Sequence, residues 1–184
     1  MRLITIFLIS FLSINQVKAQ IGRFANQTEI GLLAGENVPP IFSARSFNGI
    51  RFKNVPLETG IALGVDAYSQ ITIVPVSLSC RWNPLEKESV SPYLSLDMGY
   101  GFDWLQRRRE GRSYSGGYLL SPAAGLRFKT AGNSKFILNL SYKRQEASIS
   151  TVPDMEPFNT IGFRSYQTSD YIFKRLYISV GLSF

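Results

Sequence analysis

Histidine is absent from this chain of 184 residues, and cysteine occurs once, at Cys80. Without histidine, a Ser-His-Asp triad, a histidine-dependent membrane protease or phospholipase and the commonest metal sites all lose their central residue. A single cysteine forms no internal disulfide, and without a histidine partner it is a poor nucleophile. We therefore expect no catalytic site, no metal and no other cofactor. An enzyme would have to act through carboxylates, lysine or tyrosine alone.

Long apolar runs are also missing, apart from residues 3–14. That run is too short to cross a membrane as a helix, which needs ~20 residues. Arg2 before it and the small or slim residues Val17-Lys18-Ala19 after it are typical of a secretory signal peptide. We predict that residues 1–19 are removed, which leaves a mature chain of 184 − 19 = 165 residues that starts at Gln20.

Charge is sparse and mostly positive. The whole chain carries +7, and the loss of Arg2 and Lys18 with the signal leaves 7 − 2 = +5 on the mature protein. A positive balance suggests an anionic partner. For an exported protein we expect that partner to be anionic lipid and not nucleic acid.

Alternating segments fill the mature chain, and no helical periodicity competes with them. Glycine, proline, asparagine or charged clusters separate about eight of these segments. They are predicted as strands over residues 28–34, 41–52, 58–68, 71–82, 90–104, 117–128, 135–145 and 171–184. In the fifth, Leu94, Leu96 and Met98 fall on one face, while Ser95 and Asp97 fall on the other.

Alternation alone does not decide which face points outward, since a soluble lipocalin-like barrel hides its apolar face and a membrane barrel exposes it. Two features favour a membrane barrel over a soluble one. The polar face is rich in glycine and serine and carries charges of both signs, which suits a narrow lumen. Large aromatic residues lie near strand ends, where membrane barrels have their interfacial girdles: Trp82, Tyr100, Phe102, Trp104, Tyr118, Phe128 and Phe184. We predict an all-β, antiparallel transmembrane barrel of about eight strands over residues 20–184.

The connections give an orientation. Those at 53–56, 83–88 and 130–133 are tight, as on the periplasmic side, whereas 106–115 and 146–170 are longer, as on the outside. The connections at 35–39 and 69–70 are short for external loops. Pro75, Pro92 and Pro122 lie inside predicted strands, where each removes a ladder donor, so we interpret them as bulges or interface positions.

Residues 46–52 (SFNGIRF), 91–100 (SPYLSLDMGY) and 176–184 (LYISVGLSF), within this eight-segment plan, resemble the small outer-membrane β-barrel, porin-like family of the OmpA and OmpX type. The resemblance covers essentially the whole mature chain. It implies an outer-membrane location in a Gram-negative envelope, and it implies no activity. Ile178, Val180, Leu182 and Phe184 look like the C-terminal signal that barrel-assembly machinery recognises. The same residues also fit an ordinary lipid-facing strand.

Inward-pointing charges are the candidate site. Strand alternation places ten charged residues in the lumen: Glu29, Arg45, Arg51, Asp66, Arg81, Asp97, Asp103, Arg127, Lys143 and Arg175. Either they form a salt-bridged core that fills the barrel, or they line a path for solutes. We favour the filled core, because eight strands enclose little more than side chains and unpaired buried charges are costly.

Two further segments could contact partners outside the barrel. Arg107, Arg108, Arg109 and Arg112 form a basic cluster in a predicted external loop, where guanidinium groups could bind lipopolysaccharide phosphates or simply face water. Apolar residues within 146–170 could bind a hydrophobic partner or, as we prefer, cap the barrel mouth: Met155, Phe158, Ile161, Phe163 and Tyr166.

Three functions stay open at this point, in order of preference. The first is a monomeric structural or surface-interaction barrel with a plugged lumen, in contact with outer-membrane lipid. The second is a narrow porin-like channel for small solutes, and the third is a lipid-modifying enzyme. Planar-bilayer recording separates the first two.

Overall fold

The computed structural model describes residues 22–36, 38–69, 71–85, 88–105, 112–130, 132, 134–151 and 167–184. This part of the chain contains nine β-strands: β1 (Gly22–Gly35), β2 (Val38–Phe52), β3 (Leu57–Ala67), β4 (Thr72–Trp82), β5 (Val90–Phe102), β6 (Arg112–Ser115), β7 (Gly117–Lys129), β8 (Lys135–Thr151) and β9 (Gln167–Ser183). Among the same residues, no helix is long and apolar enough to cross a membrane.

The strands close into one antiparallel barrel. Except for the short β6, each strand pairs with its neighbours in sequence, with β7 following β5, and β1 closes the ring against β9. The four-residue β6 pairs with β8 just beyond β7, so that β6 and β7 act as one strand interrupted at Gly116. The wall therefore has eight strands, as the sequence predicts. The signal peptide, predicted over residues 1–19, and Gln20 lie outside the described residues.

Burial is inverted relative to a soluble protein. On β5, Ser95 and Asp97 are buried in the lumen, whereas Leu96 and Met98 are 41% and 56% exposed on the exterior. Because the backbone hydrogen bonds are satisfied around the closed ring, an apolar exterior of this kind is stable in lipid.

Several strands are longer than the alternation predicts. β1 begins at Gly22 and not near residue 28, while β8 runs on to Thr151 and β9 starts at Gln167. Pairing with β2, from Gly22 opposite Phe52, holds the extension of β1, and continuous pairing from Lys135 opposite Ser183 to Thr151 opposite Gln167 holds those of β8 and β9. Apart from Phe24, Ala25, Ala147 and Ile149, their residues are polar or glycine, so the hydrophobic pattern weakens there while the backbone ladder continues.

The prolines interrupt hydrogen bonding without shifting the register. The β3–β4 ladder has a gap beside Pro75, and the β7–β8 ladder has one beside Pro122, yet the same register resumes on the far side of both. The predicted bulges at these prolines are therefore wrong. Pro92 lies beyond the last β4–β5 pair, Trp82 opposite Leu94, so its missing N–H removes no bond to β4.

Candidate functional site

Three side chains from three strands meet at the inner end of the lumen, the end with the short turns. Arg127 on β7 makes a bidentate pair with Glu58 on β3, with both N–O distances 2.8 Å. Arg51 on β2 donates to the same carboxylate at 2.7 and 2.8 Å. Glu58 was missing from the predicted set, although it lies an even number of residues from Asp66 on the same strand and so faces the same side. Strand alternation applied to the whole of β3 would have found it.

Glu29 is the centre of the next layer outward. Its carboxylate accepts hydrogen bonds from Arg45 at 3.1 and 3.2 Å, from Asn139 at 3.1 Å and from Ser179 at 2.7 Å. Arg45 also pairs with Asp97 on β5. Because these residues lie on β1, β2, β5, β8 and β9, one network connects opposite sides of the barrel.

Arg81 lies in the same layer, with its guanidinium over the Phe47 ring, 3.8 Å from the ring centroid. It is fully buried, and its closest carboxylate contact is to Glu29 at 4.0 Å. Among the described residues, its two terminal nitrogens have no hydrogen-bond partner. The aromatic face provides part of the missing stabilisation through a cation–π contact.

Further outward, ionic contacts give way to apolar packing. Lys143 pairs with Asp66, which also accepts a hydrogen bond from Ser43 at 2.7 Å. Beyond them, buried apolar side chains form a cluster that we call the outer plug: Leu33, Ile41, Tyr68, Ile71, Ile73, Ala147 and Tyr177.

Tyr68 anchors the outer plug from the turn after β3. Its ring stacks on Phe173 with the centroids 4.2 Å apart, and burial raises the pKa of its hydroxyl above the ordinary value. The outer plug was not among the sites predicted from the sequence. Strand alternation could have predicted it, since Ile71 and Ile73 lie an even number of residues from Ser77 and Arg81 on the same segment and so also face inward.

Two of the ten predicted lumen charges behave differently from the rest. Asp103 follows the end of β5 and is half-buried, so strand alternation no longer determines its direction, and none of the salt bridges among the described residues includes it. Arg175 is buried on the lumen side of β9, but its Nη1 has no hydrogen-bond partner within the described part of the chain. The other eight predicted residues, Glu29, Arg45, Arg51, Asp66, Arg81, Asp97, Arg127 and Lys143, lie together in the layers above.

Counting the described lumen charges gives an excess of cations. Six basic residues face four carboxylates once Glu58 is added and Asp103 is set aside, so the balance is 6 − 4 = +2. Side chains leave little space between the layers, and a cavity beside Arg45, Asp97 and Lys143 has a volume of about 10 Å³. That is room for about one water molecule.

Other predicted sites lie outside the described residues. They include Arg107, Arg108 and Arg109, the side chain of Arg112, and the apolar set Met155, Phe158, Ile161, Phe163 and Tyr166. Where the structure describes the chain, no group of three or more Asp, Glu, Cys or His residues could hold a metal ion.

The C-terminal residues lie on the lipid-facing side of β9. Ile178, Val180 and Leu182 are exposed on that face, and Phe184 follows them with 57% of its surface exposed. The Phe184 N–H donates to the Asn26 carbonyl at 3.0 Å, which ties the chain end to β1.

Comparison with known proteins identifies the fold and no closer relationship. No protein-family model matches the chain, and no curated protein does. Among solved structures, the outer membrane protein OprG from Pseudomonas aeruginosa is 12% identical with a TM-score of 0.59, over 90% of this chain and 97% of OprG. Neisserial surface protein A (NspA) is 10% identical with a TM-score of 0.52, over 87% and 94% of the two chains.

These structures confirm the predicted all-β fold, a closed antiparallel barrel of eight strands. Together with the apolar exterior described above, the fold places the barrel in an outer membrane.

Proposed function

We propose that this protein is a plugged outer-membrane barrel with a structural or surface-interaction role, monomeric and without catalytic activity. The observation that carries the proposal is the filled lumen. Ionic layers around Glu58 and Glu29 connect opposite walls, and the outer plug covers them. A barrel closed in this way presents only its ends and its lipid-facing wall to partners.

The ionic layers resist opening because their charges depend on one another. Removing one carboxylate leaves its arginine partners buried without compensation, which costs several kcal/mol. A water-filled path would have to separate Arg127 from Glu58 and Arg45 from Glu29 while it also displaced the outer plug. Two barriers of different chemistry therefore lie in series along the lumen.

The competing proposal is a narrow porin-like channel for small solutes. The excess of two lumen cations favours anions as its solutes, because a cationic path lowers the barrier to negative ions. Arg81 and Arg175 are the residues that provide this excess, since neither has a carboxylate at short distance among the described residues.

Planar-bilayer recording of the purified, folded protein decides between the two. We expect no steady single-channel steps from the wild type. We expect none from an Ile71→Ala/Ile73→Ala variant either, because the ionic layers stay in place when the outer plug is reduced. Steady, ion-selective steps from the wild type would overturn the plugged barrel in favour of the channel.

Assembly and location complete the proposal. We propose that Ile178, Val180, Leu182 and Phe184 are read by barrel-assembly machinery, supported by their exposure on the wall and at the chain end. We also propose that the barrel is of the OmpA and OmpX type and lies in a Gram-negative envelope. Residues 1–19 are proposed to be removed on export. Mass spectrometry of an outer-membrane fraction should find a protein that begins at Gln20.

A further inference from the structure

The outer end of β9 has a partner strand on one side only. β8 pairs with β9 along the whole of β9. β1 pairs with β9 only as far as Ala34 opposite Leu176, and β1 ends at Gly35. Within the described part of the chain, residues 167–175 therefore have no pairing strand on the β1 side. Alternate residues of this segment direct their backbone N–H and C=O groups to the open side, which we call the β9 edge.

The exposure of the side chains agrees with an open edge. Residues 148–151 of β8 lie between β6 and β9 and are half-buried. Their partners on β9, residues 167–170, are exposed. The difference arises because β8 has a strand on both sides at this height, whereas β9 has a strand on one.

Space for a further strand is present where β1 ends. An open cavity of about 290 Å³ is lined by Gly35 and Glu36 on one side and by Lys174 and Leu176 on the other. A strand added to the β9 edge can therefore begin beside Lys174 without displacing β1.

Two other open edges at the outer end of the barrel are blocked or short. Residues 38–42 of β2 extend beyond the pairing with β3, and Pro39 and Pro40 in this segment lack the N–H that a further strand would need. β6 has only four residues. Natural proteins protect sheet edges against unwanted pairing in these ways. The β9 edge contains no proline, and its pairing with β8 has no shift in register, so this edge is suited to accept a strand.

The side chains along the β9 edge carry opposite charges on either side of an apolar residue. Asp170, Ile172 and Lys174 are exposed on the outer face of the wall. The Asp170 carboxylate accepts a hydrogen bond from Ser148 at 2.6 Å, and none of the salt bridges among the described residues includes Asp170 or Lys174. Arg144 lies opposite Lys174 on β8. Because opposite charges attract across strands and like charges repel, an acidic residue fits the open side of Lys174 and a basic residue fits that of Asp170.

A second copy of this barrel in the same membrane does not match this pattern. Both copies would direct β9 from the outer to the inner side, so their edges could pair only as parallel strands. A two-fold axis along the membrane normal would then put Asp170 beside Asp170 and Lys174 beside Lys174, which is destabilising. The occupant that fits is a segment of a different protein, consistent with the monomer proposed above.

We propose that the β9 edge binds an extended segment of a partner protein, which joins the sheet as an antiparallel strand. Backbone hydrogen bonds to residues 167–175 provide affinity, and alternate side chains provide specificity. Read from its N-terminal end, the segment has an acidic residue beside Lys174, an apolar residue beside Ile172 and a basic residue beside Asp170, with one residue between each. Antiparallel pairing is expected because it is slightly more stable per residue than parallel pairing. The inference rests on the surface-interaction role and the orientation in the proposed function, and it names the class of partner.

The test uses a synthetic peptide and the folded barrel in detergent micelles. The peptide Thr-Glu-Tyr-Ile-Tyr-Lys-Thr places its glutamate beside Lys174 and its lysine beside Asp170. Amide hydrogen exchange of residues 167–175 is measured by NMR with and without this peptide. In the free barrel we expect slow exchange at alternate residues, whose N–H groups bond to β8, and fast exchange at the others. The peptide should slow the second set, because a contact through side chains alone does not bond to backbone N–H groups.

Two matched changes test the backbone and the charges separately. Two versions of the peptide are N-methylated at alternate residues, and only the version whose methyl groups face β9 should lose binding. The barrel variant Asp170→Lys/Lys174→Asp should bind the original peptide about tenfold more weakly and should regain affinity for a peptide with glutamate and lysine exchanged. Glu88→Lys, a charge reversal at the inner end of the barrel, is the control and should bind the original peptide like the wild type.

Three results would overturn the proposal. They are unchanged exchange of residues 167–175 when the peptide is added, equal binding of the two N-methylated peptides, and slow exchange of both sets of amides before any peptide is added, whether the free protein is a monomer or a dimer. The heat-modifiable folded band checks that each variant is a barrel. Planar-bilayer recording is made on the same samples, and because the β9 edge lies outside the lumen, a non-conducting barrel that fails to bind the peptide contradicts the strand addition alone.

Discussion

The inner and outer parts of the lumen are filled by opposite chemistries on the same faces of the same strands. Around Glu58 and Glu29 the space is occupied by directional ion pairs, while the outer plug around Leu33 and Ile73 is held by apolar packing. A narrow barrel can therefore be closed in either way. Ion pairs specify which strands face each other, whereas the apolar plug limits the access of water to them and so strengthens their interaction.

The largest effect should come from breaking the inner ionic layer. Glu58→Ala removes the carboxylate that Arg51 and Arg127 share and leaves two cations without it. We expect the free energy of unfolding to fall by about 3–5 kcal/mol. Urea titration of the heat-modifiable folded band measures it, with Glu36→Ala in an exposed turn as the control. Equal stability of the two variants would contradict a structural role for this layer.

A charge placed on the exterior wall should also be strongly destabilising, because that surface contacts lipid and must be apolar. Leu96→Arg places a cation on the lipid-facing side of β5, near the middle of the strand. We expect a loss of about 2–4 kcal/mol. The same titration in lipid vesicles gives the value, and Thr168→Arg on the exposed outer extension of β9 is the control. Tolerance of arginine at position 96 would mean that this face does not contact lipid.

Reducing the outer plug should cost less than breaking the ionic layer. Ile73→Ala removes part of a fully buried side chain, for which we expect a loss of about 2 kcal/mol. The value lies at the lower end for such substitutions because the site is near the barrel mouth, where water can fill the space. Hydrogen exchange should rise around Tyr68 and Ile71 more than around Glu29. A uniform rise along the barrel would show that the two regions are not separable.

The smallest effect should come from an ion pair outside the lumen. Arg144 and Glu146 are 2.7 Å apart, but their side chains are 38% and 31% exposed. We expect Arg144→Gln to change the free energy of unfolding by less than about 1 kcal/mol, because solvent screens exposed pairs. Compared with Glu58→Ala in one titration series, this variant separates the effect of burial from that of pairing. A loss as large as that of Glu58→Ala would contradict the distinction.

Much of the site could be predicted from the alternation of side chains along each strand. Alternation alone directs Glu29, Arg45 and Arg81 inward, because a strand puts successive side chains on opposite faces. Alternation no longer fixes the direction of a side chain beyond the end of a strand, as at Asp103, which follows the last residue of β5. Glu58 was overlooked because alternation was not followed to the start of β3, and the outer plug was overlooked because a search for inward charges passes over inward apolar residues.

The fold class, the number of spanning strands and the direction of most side chains follow from local patterns in the sequence, because each depends on a period of two residues and on turn positions. Which charges pair depends on the folded barrel, since Arg127 and Glu58 lie on strands that are not neighbours and meet across the closed lumen. Closure of the barrel also places the Arg175 side chain against Gly35 of β1 on the lumen side. Contacts across a barrel depend on its closure and the register of all its strands, and no local pattern contains that information.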